Sequence, residues 1–152
     1  MKLALGRPTD RKPPFKYSAL ARVGFSDTDA QGVVYYGRYM PYIDLSRTEY
    51  FRHLGLLDRQ VMIRTAMRAV HVEYLAPARF DDALEVFARV SRLGTTSLTT
   101  EHVVHRVDDD LLMATASQTA VFLHPSERRA WPIPDELRDV IVGFEGSDVE
   151  QR

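Results

Sequence analysis

The sequence contains no cysteine, and this absence excludes several kinds of chemistry. Without thiols the chain forms no disulfide, offers no thiolate ligand to a metal and has no cysteine nucleophile. It also lacks an apolar run of about 18 residues, so no membrane-spanning helix is expected. A basic excess is missing too, because the formal net charge is −1. Binding to nucleic acid is therefore not expected.

The two ends of the chain have little of the patterning that predicts packed structure. Residues 1–16 carry charges and three prolines, and they lack the apolar core of a signal peptide. We therefore expect a flexible N-terminal arm there and a cytoplasmic protein. The sequence predicts a single domain over residues 17–142. Residues 143–152 are expected to form a flexible C-terminal tail.

Between these ends, the hydrophobic pattern predicts one strand, one long helix and four further strands. Alternation over residues 17–25 predicts the first strand, and spacings of three and four over residues 38–54 predict a helix that Gly55 ends. Later alternation and turn signals predict strands at 67–75, 84–90, 98–106 and 111–123. Weaker patterns predict short helices at 57–65 and 135–140.

The short turns between the later strands decide the predicted fold class. They are too short for crossover connections, so the strands must be largely antiparallel. One buried helix then fits against one face of the sheet. The prediction is an α+β domain, in which a curved antiparallel sheet of about five strands wraps around one long central helix.

Two carboxylates, Asp27 and Asp29, stand one residue apart before a glycine turn and the start of the long helix. Free N–H groups at a helix start can polarise a carbonyl, and a nearby carboxylate can act as a base or a nucleophile. Asp is also common in turns and at helix N-caps. From these residues alone, the catalytic and the structural interpretation both stay open.

Other candidate residues give weaker signals. The five histidines lack the spacing of a zinc site, so structural or surface roles are favoured for them. Ser46 has no G-x-S-x-G context, which argues against a serine hydrolase. The run Asp108–Asp110 is typical of a turn, because the other ligands of a calcium loop are missing. No metal or other cofactor is expected.

Several blocks of the sequence resemble one family of enzymes. FSDTDAQGVVYY at residues 25–36, with DLSRTE at 44–49, is similar to the signature of hotdog-fold acyl-CoA thioesterases of the 4-hydroxybenzoyl-CoA thioesterase-like type. VEYLAPARFDDALE at 72–85 resembles the Tol-Pal-associated branch of that family. GTTS at 94–97 and PIP at 132–134 also fit. The resemblance covers roughly residues 17–140.

The resemblance implies hydrolysis of an acyl-CoA to a free acid and CoA without a metal or redox cofactor. It implies Asp29 as nucleophile or general base, with the backbone N–H of Tyr36 polarising the carbonyl. Gly32 is expected to allow the backbone conformation of the turn. Asp27 is expected to have a structural role. The family also implies a homo-oligomer, a dimer or a dimer of dimers, with active sites at the dimer interface.

The expected substrate-binding residues are less specific, because tyrosines and surface arginines have many other roles. They are Tyr35, Tyr39, Arg92, Thr96 and Ser97. Where the 4-hydroxybenzoyl enzyme has a basic run, this chain has Gly94-Thr95-Thr96, which argues against that substrate. Three alternatives stay open: an enzyme acting on aromatic acyl-CoA, one acting on acyl-carrier protein, and a non-catalytic acyl-CoA sensor or scaffold. A hotdog dehydratase is not favoured, because the paired histidine and acidic residue are missing.

Overall fold

The computed structural model describes residues 3–57 and 64–152. The expected helix at 57–65 therefore lies largely outside the described residues. The elements, in chain order, are β1 (Gly6–Lys12), β2 (Phe15–Arg22), α1 (Tyr39–His53), β3 (Thr65–Tyr74), β4 (Ala83–Leu93), β5 (Ser97–Arg106), β6 (Leu112–Phe122), α2 (Asp135–Glu145) and β7 (Glu150–Gln151).

Six of the strands form an antiparallel sheet in the order β1-β2-β4-β5-β6-β3. The short β7 pairs with β4 in parallel and brings the number of strands to seven, against the five expected. Helix α1 lies against β2 and β4. The predicted α+β architecture is confirmed, and among the described strands β3 pairs with β6 alone, which places it at an edge of the sheet.

Helix α1 forms where the apolar spacing predicts it, because one of its faces closes the core. Tyr39, Ile43, Ser46 and Tyr50 recur at spacings of four, three and four and are buried. Gly55 follows Leu54, the C-cap residue of the helix, and has φ +72°. The next residue, Leu56, donates its N–H to the carbonyl of Phe51 at 2.9 Å. This pair of features is a Schellman C-cap.

The prediction that residues 1–16 lack regular structure is wrong. Strand β1 lies within this segment and pairs with β2. Arg11 of β1 forms an ion pair with the buried Glu85 and lies over the ring of Phe87, 5.6 Å from its centroid. An edge strand that is largely exposed shows no hydrophobic alternation, and Pro8 is tolerated at a sheet edge. The sequence pattern therefore gives no sign of β1.

The prediction of an irregular tail at residues 143–152 is also wrong. Helix α2 starts where it was predicted, but it continues to Glu145, and β7 follows it. Val149 is buried, and the carboxylate of Glu145 accepts hydrogen bonds from the Tyr50 hydroxyl at 2.6 Å and from the Val90 N–H at 2.9 Å. A buried glutamate within a polar segment is invisible to hydrophobic patterning. Within the described residues, neither helix has the length and apolar character needed to cross a membrane.

Candidate active site

Asp29 begins a tight hairpin that ends at Gly32. The N–H of Asp29 bonds the carbonyl of Val33 at 2.9 Å, and the N–H of Gly32 bonds the carbonyl of Asp29 at 3.0 Å. Gly32 has φ +78°, a conformation that a side chain would strain. This three-residue loop with a left-handed final residue is a common hairpin turn. The expected role of Gly32 in the turn agrees with this geometry.

The carboxylate of Asp29 is held by the turn that it starts. Its Oδ1 accepts the N–H of Gln31 at 2.8 Å, while Oδ2 has no hydrogen-bond partner within residues 3–57 and 64–152. The side chain is half-buried. One oxygen of a fixed carboxylate therefore remains available to a substrate or a water.

Asp27 has a different environment, although it is only two residues away. Its Oδ2 accepts two hydrogen bonds, from the Gly24 N–H at 2.9 Å and from the Tyr42 hydroxyl at 2.7 Å. Burial, together with this hydrogen bond to Asp27, raises the pKa of Tyr42 well above its usual range. These contacts tie the loop before Asp29 to helix α1, which supports a structural role for Asp27.

The backbone N–H of Tyr36 is a free donor at the start of a helical turn. Residues Tyr36–Arg38 form a 3-10 turn directly before α1, and the N–H of Arg38 bonds the carbonyl of Tyr35 at 2.8 Å. The N–H of Tyr35 bonds the carbonyl of Asp27 at 2.9 Å, which attaches this turn to the aspartate loop. The Tyr36 N–H itself has no partner in the described part of the chain, so it can donate to an incoming carbonyl or anion.

Four tyrosines surround this turn. The ring centroids of Tyr35 and Tyr36 lie 4.4 Å apart, and those of Tyr39 and Tyr74 lie 5.3 Å apart. Tyr39 is buried, whereas Tyr35 and Tyr36 are exposed. The hydroxyl of Tyr74 donates to the carbonyl of Tyr36 at 3.0 Å. Tyr74 was not among the expected site residues, although its aromatic side chain at the end of a predicted strand is a usable signal.

The structure does not bring the other expected substrate-binding residues to Asp29 within one chain. Tyr74 pairs with Ala114 of β6, whereas Ser97 pairs with Val121 of the same strand. Ala114 and Val121 are seven residues apart on β6, which corresponds to roughly 23 Å of extended strand between the positions of Tyr74 and Ser97. Thr96 precedes Ser97 and accepts the N–H of Phe122 at 2.8 Å. Both residues therefore lie at the opposite end of the sheet.

Arg92 lies at that same far end and points away from α1. It alternates along β4 with the buried core residue Leu93, so its side chain lies on the other face of the sheet. Its Nε is buried and lacks a hydrogen-bond partner among the described residues. Within a single chain, this position gives Arg92 no route to a substrate bound at Asp29.

The arrangement as a whole fits chemistry at a carbonyl. A carboxylate with one free oxygen and a free N–H at a helical turn are connected by backbone hydrogen bonds, and aromatic rings stand beside them. Within residues 3–57 and 64–152 there is no cluster of three or more His, Asp or Glu side chains able to hold a metal ion.

Comparison with known proteins places the chain in a family. Residues 23–141 match the model of the thioesterase-like superfamily, and this span covers most of the chain. The chain therefore belongs to the thioesterase-like superfamily. The class of protein that its fold and site define is a hotdog-fold thioester hydrolase.

Individual relatives agree with this class. Acyl-CoA thioester hydrolase YbgC of Escherichia coli O6:H1 is 32% identical over 120 residues, which cover 76% of this chain and 88% of that protein. Acyl-CoA thioesterase YbgC of Haemophilus influenzae is 30% identical over 120 residues, with the same coverage. A thioesterase of Thermus thermophilus, solved in complex with coenzyme A and Zn, has a TM-score of 0.71 and 29% identity. That alignment covers 84% of this chain and 94% of the solved one.

Proposed function

We propose that this protein hydrolyses the thioester bond of an acyl-CoA to a free acid and CoA. The observation that carries the proposal is the connection of the half-free Asp29 carboxylate to the free Tyr36 N–H through the hydrogen bond between Tyr35 and Asp27. The relatives named as acyl-CoA thioester hydrolases support the choice of substrate class. Assignment to the Tol-Pal-associated branch rests on the block at residues 72–85.

In the proposed reaction, the thioester oxygen accepts the N–H of Tyr36. Donation becomes stronger as negative charge develops on that oxygen, and losing one such donor typically costs about 10²–10³ in turnover. Asp29 then acts by one of two routes. It attacks the carbonyl carbon, expels the CoA thiolate and forms a mixed anhydride that water hydrolyses. Alternatively, it takes a proton from a water that attacks the carbon, and the tetrahedral intermediate then expels the CoA thiolate.

We further propose that the working enzyme is a homodimer paired through β3. This edge strand has ten residues, and on its α1 side Met67, Val70 and Tyr74 are each nearly half exposed. Among residues 3–57 and 64–152 no element covers this long apolar edge, and such an edge invites pairing with a second copy. In a two-fold antiparallel pair, the Thr65 end of one β3 meets the Tyr74 end of the other. Thr96 and Ser97 of one copy would then lie near Asp29 of the other.

The function is tested with an Asp29→Asn variant, using release of free thiol from a panel of acyl-CoAs that runs from acetyl to palmitoyl and includes benzoyl. The amide keeps an oxygen for the Gln31 N–H but cannot act as nucleophile or base. We expect turnover to fall at least about hundredfold with the thermal unfolding midpoint retained. Asp139→Asn, an exposed change on α2, is the matched control.

Each outcome of this experiment has a separate meaning. Wild-type turnover in Asp29→Asn would exclude Asp29 as the catalytic carboxylate. Binding of acyl-CoA without turnover of any substrate by the wild type would replace the enzyme with a sensor or scaffold.

A further inference from the structure

A second feature of the fold is a cavity of about 180 Å³ between the C-terminal half of α1 and the sheet. It lies on strands β3, β5 and β6, beyond the reach of the Asp29 hairpin of the same chain. One wall is apolar and includes Phe51, Leu98 and Ala120. The polar wall is formed by the same helix and strands and includes Arg47, Thr100 and Gln118.

The polar wall is already organised by hydrogen bonds. Arg47 Nη1 donates to Oε1 of Gln118 at 2.6 Å, and Thr100 Oγ1 lies 3.2 Å from Nε2 of His102. Gln118 and Thr100 are 3% and 2% exposed. Because Oε1 of Gln118 is occupied by Arg47, its amide NH₂ remains as a donor without a partner in the described residues. The cavity therefore offers a hydrogen-bond donor at a position that is almost closed to solvent.

Within one chain, the cavity is too far from the site to hold a short acyl group. Arg47 follows the Tyr36 N–H by about three helical turns, or roughly 16 Å. A six-carbon chain spans roughly 7 Å, comparable with two extended residues. Two-fold pairing through β3 would bring the cavity close to an active site, that of the second copy. Thr65 and Met67, at one end of β3, line the mouth of the cavity. The Tyr74 end of a second copy, with its own Tyr36, would lie beside that mouth.

We propose that this cavity is the acyl chamber for the active site of the paired copy, and that it selects a short acyl group with a hydrogen-bond-accepting oxygen at its far end. The proposal rests on the proposed thioesterase function and names its substrate class. An engineered apolar cavity of about 150 Å³ binds benzene, so the volume here suits about six carbons. The NH₂ of Gln118 is the donor for the distal oxygen, and Arg47, which pairs with Asp44 and with Oε1 of Gln118, holds that amide in place.

The size of the chamber is tested with Ala120→Leu, which fills the cavity from its apolar wall. The readout is the ratio of kcat/KM for hexanoyl-CoA to kcat/KM for acetyl-CoA. We expect this ratio to fall at least about tenfold, since the longer group loses its space. Ala120→Val is the milder variant in case the larger side chain prevents folding. Ala130→Leu, at an exposed position, is the control and should leave the ratio at its wild-type value.

The polar wall is tested with adipoyl-CoA and hexanoyl-CoA, which have six acyl carbons and differ in the terminal carboxylate. We expect the wild type to favour adipoyl-CoA by about tenfold, and Gln118→Met, which keeps the side-chain length, to reduce that preference to about unity. Arg128→Met, an exposed arginine outside the cavity, is the control and should keep the preference.

The outcomes separate this proposal from the function on which it rests. If no acyl-CoA is hydrolysed by the wild type, the proposed function is wrong. If acyl-CoAs are hydrolysed but neither Ala120 variant changes the ratio, the chamber is elsewhere. If hexanoyl-CoA is used as well as adipoyl-CoA, the polar wall does not select a terminal oxygen.

Discussion

The Tyr42 hydroxyl donates a 2.7 Å hydrogen bond to Oδ2 of Asp27, two residues before the catalytic candidate Asp29. The same oxygen also accepts the Gly24 N–H. Helix α1 thus holds the aspartate loop through a side chain from its own buried face. We therefore expect Asp27 to act on the reaction through the position of Asp29 and not by contact with substrate.

Replacing Tyr42 with Phe should loosen this loop without removing a catalytic group. We expect kcat for the best acyl-CoA to fall about tenfold, because small displacements of a catalytic group are costly. The free energy of unfolding should fall by about 1.5 kcal/mol, as for other hydrogen bonds to a charged group. Steady-state kinetics and urea unfolding measure both effects.

The matched control is Tyr50→Phe on the same helix. It also deletes a hydroxyl that donates to a carboxylate, that of Glu145, but at the end of α1 far from Asp29. It should lower stability and leave kcat within about twofold of the wild-type value. A Tyr42→Phe enzyme with wild-type kcat would show that this bond does not position Asp29.

Glu145 should give stability an unusual dependence on pH. Burial raises the pKa of its carboxyl above the ordinary value of 4.5, although hydrogen bonds from Tyr50 and Val90 and the charge of Lys16 oppose the shift. A raised pKa in the folded state means that the contribution of Glu145 is fully present below the unfolded value and is lost as pH rises through the folded value. Glu145→Gln cannot ionise, so its free energy of unfolding relative to that of wild type should rise as the pH rises above 4.5.

Urea unfolding midpoints of both proteins across that range measure the effect. The exposed Asp139→Asn change on the same helix serves as the control. A difference between Glu145→Gln and wild type that is constant with pH would show that Glu145 has the same pKa in the folded and unfolded chains.

His102 should have the opposite dependence on pH. Burial, with a smaller contribution from the positive charge of Arg47, lowers the pKa of its imidazole to about 3. The stability from a neutral His102 is therefore present above the unfolded value of 6.5 and is lost as pH falls toward the folded value. As the pH falls from about 6.5 to about 4, the free energy of unfolding of His102→Gln should therefore decrease less steeply than that of wild type. Urea unfolding followed by circular dichroism measures this slope.

The exposed His71→Gln change is the control for His102, because that ring lies on the surface of β3. It should keep the wild-type slope. If His102→Gln also keeps that slope, the imidazole is not held neutral by its burial against α1.

Hydrophobic spacing predicts the parts of this fold whose two faces differ in burial. Helix α1 and strands β4, β5 and β6 each have one face in the core, so residues such as Ile43 and Val86 recur with the period of their element. Strand β1 and the segment after Glu145 lack that contrast. They are attached by backbone pairing, by the one buried side chain of Val149 and by polar contacts such as that of Arg11 with Glu85. None of these has a hydrophobic periodicity.

The candidate site is predictable only in part for a related reason. Asp29, Gly32 and Tyr36 are close in sequence, so a local motif carries their arrangement. Tyr74 reaches Tyr36 from a distant strand. The cavity around Gln118 arises from packing between α1 and three strands, and no local spacing encodes a gap of that kind.

A lysine at Val70 should separate the proposed dimer. Val70 lies near the middle of β3 on its α1 side and is 45% exposed, so a two-fold axis there would bring two copies of the new charge together. Like charges and an edge lysine both oppose strand pairing. We expect Val70→Lys to elute as a monomer in light-scattering chromatography. Its turnover should be at least about tenfold lower, because each site then lacks the residues of the second copy.

Ser117→Lys provides the comparison for Val70→Lys. Ser117 lies on β6, one strand in from the edge and on the opposite face, beside His71. The same charge added there should leave the molar mass and the turnover at wild-type values. A Val70→Lys protein that stays dimeric would place the interface on another surface. A fully active Val70→Lys monomer would show that each site is complete within one chain, and the acyl chamber would then have to be sought near the Asp29 of the same copy.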